Sequence, residues 1–103
     1  MEIKISARHG HLSERTQETV RAKVEKLSRV FDRLTEILVT VDLENRDSPK
    51  VDIVAAAEHK KDFKASEQGD RAEDLVGVVD AAVHKLEKQL RKYKQKIQEH
   101  HPH

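Results

Sequence analysis

Histidine supplies the most versatile side chains of this 103-residue chain, which has seven histidines and no cysteine. His9 and His11 alternate near the end of a predicted strand and could point the same way, but no carboxylate partner is specified nearby. A second group, His100, His101 and His103, offers no preformed geometry and would take up nickel or zinc only weakly. The sequence therefore predicts no metal site and no cofactor.

Other marks of a catalytic site are also missing from the sequence. The absence of cysteine excludes a thiolate nucleophile. Gly10, Gly69 and Gly77 stand apart, so there is no glycine-rich loop to hold a phosphate. Ser13 precedes a segment of helical periodicity, which makes it a helix N-cap rather than a nucleophile. We expect no catalytic residues, and the protein is predicted not to be an enzyme.

Charge is distributed unevenly along a chain whose net charge is only +1. Residues 1–41 carry a balance of +2, residues 42–82 a balance of −5, and residues 83–103 a balance of +4. Within His84–Gln98 the only acid is Glu87, against six lysines and arginines. A block of this kind can bind polyanions although the chain as a whole is nearly neutral. The alternative at this point is a lysine-rich helix end that is merely solvated.

Hydrophobic periodicity predicts six elements that position these charges. The alternation in Glu2–Arg8 indicates a half-buried strand, and further strands are expected over 37–44, over 51–57 and around 63–65. A narrow apolar stripe predicts a helix from Glu14 to Arg33, with Leu34 on the same line. A second, longer helix is predicted from the stripe of Leu75, Val79, Ala82, Leu86, Leu90, Tyr93 and Ile97.

The element order β-α-β-β-β-α predicts an α+β domain of two layers, in which both helices pack on one face of a four-stranded sheet. The first two strands are joined through a helix and should be parallel neighbours in a right-handed crossover. The short connections between the later strands favour an antiparallel meander. Residues 1–98 are predicted to form a single domain, and residues 99–103 a flexible C-terminal tail.

The polar faces of both predicted helices carry mainly positive charge opposite the apolar stripe. Two helices on one sheet would merge these faces into a single basic surface. The residues predicted to bind RNA are Arg15, Lys23, Lys26, Arg29 and Arg33 from the first helix, and Lys85, Lys88, Arg91, Lys92 and Lys94 from the second.

The other residues of the chain limit which class of polyanion the basic surface can bind. The three aromatic residues, Phe31, Phe63 and Tyr93, occupy core positions, so no platform is expected for stacking unpaired bases. A recognition helix for duplex DNA is also missing. Lysines and arginines arrayed on rigid helices favour structured RNA, which is read through its phosphates and shape. Two alternatives stay open, a general structured-RNA-binding domain and a protein-interaction domain with solvated helices.

Several segments along the chain together form a family pattern: Ile3–Ser6, Leu12–Glu14, Val20, Lys23, Lys26-Leu27, Phe31–Arg33, Ala65-Ser66, Asp74–Asp80 and Lys85–Lys94. In their order, spacing and length these segments resemble the family of ribosome hibernation promoting factors and the related ribosome-associated inhibitor. The resemblance covers nearly the whole chain. Val76-Gly77 departs from it, because relatives usually have an aromatic residue after the Asp-Leu pair. The chain ends without the long subfamily's dimerisation domain and without the inhibitor's acidic tail, so the short form matches better.

This resemblance implies a factor that binds the small (30S) ribosomal subunit in the channel used by messenger and transfer RNA. Such a factor silences the ribosome reversibly in stationary phase or stress. The implied partners are 16S rRNA and neighbouring ribosomal proteins, with no DNA partner and a monomeric free state.

The longest apolar runs, near 37–41 and 53–57, are far below the ~20 residues that span a bilayer. We therefore expect a cytoplasmic protein without a membrane partner.

Overall fold

The computed structural model describes residues 1–45, 47–58, 60–70 and 75–99, and it has the predicted α+β architecture. The elements are β1 (Glu2–Arg8), α1 (Glu14–Val30), β2 (Leu34–Asp42), β3 (Lys50–Ala57), β4 (Lys60–Gln68) and α2 (Leu75–Glu99). The sheet order is β1-β2-β3-β4. Strand β1 is parallel to β2, and the other neighbours are antiparallel, as the crossover and meander predictions required.

The hydrophobic core lies between the sheet and the two helices. Alternate residues of the central strands β2 and β3 are fully buried on this inner face, and the apolar stripes of both helices cover them. Burying a valine, leucine or isoleucine side chain contributes about 1.5–3 kcal/mol, so this layer fixes both helices on the sheet. The fully buried side chains include Val20, Val24, Leu27, Ile37, Val39, Val41, Val51, Ile53, Val79, Leu86 and Leu90.

Helix α1 ends at Val30, three residues earlier than the periodicity predicted. The backbone of Phe31 is extended, and its N–H donates to the Leu27 carbonyl at 3.0 Å. Leu34 begins β2 and is buried there, so its place on the helical stripe was a wrong assignment. Helical spacing cannot separate the last turn of a helix from the first inward residue of the strand that follows. Arg33 consequently lies in the connection between α1 and β2, beyond the helix.

Helix α2 continues to Glu99, the first residue of the predicted tail, and residues 100–103 lie outside the described part of the chain. Residues 71–74, which precede α2, also lie outside it. Neither α1 nor α2 is long and apolar enough to cross a membrane.

Two glycines near the start of α2 offer a matched test of this packing. A Cβ on Gly69 would lie 2.5 Å from Cγ2 of the buried Val78, whereas a Cβ on Gly77 meets nothing within 4 Å. We expect Gly69→Ala to lower the free energy of unfolding by about 1–3 kcal/mol through overpacking. Gly77→Ala should raise it by roughly 0.5 kcal/mol, because alanine favours a helix. Urea titration of both variants measures the difference, and a destabilised Gly77→Ala protein would contradict the open site.

Candidate nucleic-acid interface

The two helices lie side by side and run in the same direction. Near the start of α2, Asp80 accepts a contact from Lys23 in the middle of α1. Farther along, the rings of Phe31 and Tyr93 meet edge to face with their centroids 5.7 Å apart. The C-terminal halves of both helices are therefore neighbours, and these halves carry most of the predicted RNA-binding residues.

A basic depression separates the C-terminal halves of α1 and α2, and we call it the interhelical groove. Its main part has a volume of about 340 Å³ and is lined by Arg29, Val30, Arg91, Lys94 and Gln95. A smaller part of about 130 Å³ shares Lys94 and is lined also by Phe31, Asp32, Arg33 and Ile97. The groove thus brings together four predicted RNA-binding residues from three parts of the chain: Arg29, Arg33, Arg91 and Lys94.

The cations of the groove are accessible and suited to phosphate. The side chain of Arg91 is 68% exposed, and Arg29 and Lys94 are exposed as well. A carboxylate oxygen of Glu87 lies 3.9 Å from the Arg91 guanidinium, too long for a strong bidentate pair. A guanidinium can bind two phosphate oxygens at once, and an ammonium adds a point charge. The groove can therefore hold the backbone of a nucleic acid without reading its bases.

The remaining exposed cations extend the basic surface beyond the groove. Lys26 on α1 and Lys88 and Lys92 on α2 are exposed. Arg15 is exposed in the first turn of α1, about 21 Å from Arg29 along the helix axis at 1.5 Å per residue. A long polyanion could contact both ends of this surface, whereas a single phosphate could not.

Lys85 lies on the flank of α2 that faces away from α1. Its ammonium is 2.7 Å from a carboxylate oxygen of Glu67 and 3.4 Å from the Ser66 carbonyl oxygen, both on β4. One turn later the Gln89 amide donates to the Lys64 carbonyl at 2.9 Å. These contacts satisfy backbone acceptors of an edge strand that would otherwise be open to pairing. Lys85 therefore anchors α2 to the sheet in addition to adding charge.

The histidine prediction needs one correction at the ends of β1 and β2. Parallel pairing brings the Nδ1 atom of His9 to 2.9 Å from Oδ1 of Asp42, a carboxylate partner that the sequence did not reveal. The same oxygen accepts the N–H of Glu44 at 3.0 Å. These two hydrogen bonds hold the pKa of Asp42 below its ordinary value.

Three potential metal ligands meet there among the described residues. The ligand atoms of His9, Asp42 and Glu44 lie within 4.8 Å of one another. His9 has a φ of 60°, in the left-handed region, and its ring is hydrogen-bonded to Asp42. The hydrogen bonds of Asp42 account for this cluster, because they link His9 and Glu44, just beyond the ends of β1 and β2, to the same carboxylate.

Comparison with known proteins agrees with this fold. Residues 3–98 match the family described as Sigma 54 modulation protein / S30EA ribosomal protein. The chain belongs to this family. The resemblance to hibernation factors that the sequence indicated is thereby confirmed.

Full-length relatives include proteins named ribosome hibernation promoting factor. The one from Escherichia coli (strain K12) is 29% identical over 103 residues, covering 97% of this chain and 100% of the relative. The one from Pseudomonas putida is 27% identical over 106 residues, covering 95% and 91%. Both alignments span the strands and the two helices alike, so the family resemblance is not confined to one motif.

Two solved structures share the fold. A ribosomal subunit interface protein from Coxiella burnetii superposes with a TM-score of 0.79 at 24% identity, covering 92% of this chain and 99% of the other. The N-terminal domain of Thermus thermophilus Protein Y gives a TM-score of 0.76 at 22% identity, covering 90% and 99%. At these identities the similarity supports the architecture, a mixed four-stranded sheet with two helices.

Proposed function

We propose that this protein is a ribosome hibernation factor that binds the small (30S) ribosomal subunit through rRNA in the messenger and transfer RNA channel. Bound there, it inhibits translation reversibly in stationary phase or stress. The observation that carries the proposal is the interhelical groove, where Arg29, Arg91 and Lys94 converge from two helices. The names of the full-length relatives support the same function.

The mechanism is occupation of a channel rather than chemistry. The domain is narrow, with principal extents of 52 × 23 × 19 Å, and its core holds both helices rigidly against the sheet. Its cations bind phosphates of the surrounding rRNA, so that the protein occupies the space that messenger or transfer RNA would otherwise fill. Since these contacts are ionic and no bond is made or broken, inhibition ends when the protein dissociates. The protein acts without catalysis and without a cofactor.

The ten basic residues contribute unequally to this binding. We assign direct phosphate contacts to the groove residues Arg29, Arg33, Arg91 and Lys94, and further contacts to the flanking Lys26, Lys88 and Lys92. Arg15 extends the surface to the far end of α1. Lys23 and Lys85 add to the field while paired with Asp80 and Glu67. The partners are 16S rRNA and the ribosomal proteins beside it, which places the monomeric protein in the cytoplasm.

Cosedimentation with purified ribosomal subunits at several salt concentrations tests this proposal. We expect binding to small subunits in preference to large ones. Neutralising four or more phosphates should lower the affinity about 50-fold or more between 50 and 200 mM salt, because the logarithmic slope is about −0.7 to −0.9 per contact. A shallow slope would favour the protein-interaction alternative. Equal affinity for unrelated RNA stems would favour a general RNA-binding domain.

A further inference from the structure

An ion pair joins the two helices ahead of the segments that line the interhelical groove. The Lys23 ammonium lies 2.8 Å from a carboxylate oxygen of Asp80. The Lys23 side chain is only 22% exposed, whereas Asp80 is 53% exposed. Lys23 is therefore covered by the contact between the helices, unlike the exposed Arg21 and Lys26 on either side of it.

The position of this pair relates it directly to the groove. Lys23 lies six residues before Arg29 on α1, about 9 Å along the axis, and Asp80 lies eleven residues before Arg91 on α2, about 17 Å. On the opposite flank α2 is held to β4 by Lys85 and Glu67. The two pairs thus restrain α2 from both sides, before the segment that carries its groove residues.

Asp80 has two opposite influences on a polyanion. As an acid beside a basic surface it lowers the local potential, and its removal would strengthen binding if charge alone mattered. As the partner of Lys23 it restrains the separation and rotation of α2 relative to α1. The second influence acts on geometry, because phosphate binding by several cations requires that they be held at matching positions.

We propose that Asp80 is a positioning residue for the interhelical groove. Through its ion pair with Lys23 it sets the spacing at which Arg29 faces Arg91 and Lys94, and it strengthens binding of RNA phosphates despite its negative charge. This inference rests on the proposed function, since it concerns how the groove is held open for rRNA.

The decisive variant is Asp80→Asn, measured by affinity for small subunits over a range of salt concentrations. Positioning predicts about fivefold weaker binding with an unchanged salt slope, because the number of phosphate contacts stays the same. The charge-swapped protein, Lys23→Asp with Asp80→Lys, restores the pair at unchanged net charge and should recover most of the affinity that Asp80→Asn loses.

Glu25→Gln is the matched control, because it removes one acid from the exposed surface of α1. It should strengthen binding slightly through the long-range field. Tighter binding by Asp80→Asn, or no rescue by the charge swap, overturns the proposal. A loss of stability in urea without a loss of affinity also overturns it, since that is a purely structural role. If the wild type itself fails to cosediment, the proposed function is contradicted, and so is this inference, which depends on it.

Discussion

Replacing Arg29, Arg91 and Lys94 together by glutamate is expected to weaken binding to small ribosomal subunits by at least about 100-fold. These three cations converge on one groove from two helices, so each substitution turns an attraction for phosphate into a repulsion. The salt slope should fall by roughly three, one for each phosphate that the variant no longer neutralises. All three side chains are exposed, and the far-ultraviolet circular dichroism should stay unchanged.

A control variant with the same change in net charge distinguishes binding by the groove from attraction by the overall electrostatic field. The control residues are Lys4, Lys50 and Lys64, which are exposed on β1, β3 and β4. They alternate with the inward residues of these strands and so lie on the face of the sheet opposite the helices. Their replacement by glutamate also changes the net charge from +1 to −5. We expect less than about tenfold weakening, since only long-range attraction is reduced. Equal losses of affinity in the two triple variants would show that binding depends on total charge or on the sheet.

Much of the fold follows from patterns within single elements. The alternation of Ile37, Val39 and Val41 already predicts an inward strand face, and all three are fully buried. The helical stripe that includes Val24 and Leu27 predicts which side of α1 packs on the sheet. The tendency of consecutive strands to lie side by side then predicts that β1 and β2 are neighbours, and the helix between them predicts that they are parallel, as they are.

The candidate site could be predicted only in outline, because its details depend on residues distant in sequence. Helical projection puts Lys23 and Lys85 on a polar face, but it cannot reveal that Asp80 and Glu67 lie beside them. The same limit hid the Asp42 partner of His9, which parallel pairing supplies. The interhelical groove depends on the relative direction and spacing of two helices, which no local periodicity encodes.

We propose that this protein occupies the path of messenger and transfer RNA on the small subunit. The most direct measurement compares its binding to empty small subunits and to subunits preloaded with messenger and initiator transfer RNA. If the sites overlap, mass action requires binding to preloaded complexes to be at least about tenfold weaker. Added protein should likewise slow loading of initiator transfer RNA, and the RNA recovered after dissociation should be covalently unchanged. Equal affinity for empty and preloaded subunits would contradict the account and place the binding site elsewhere on the ribosome.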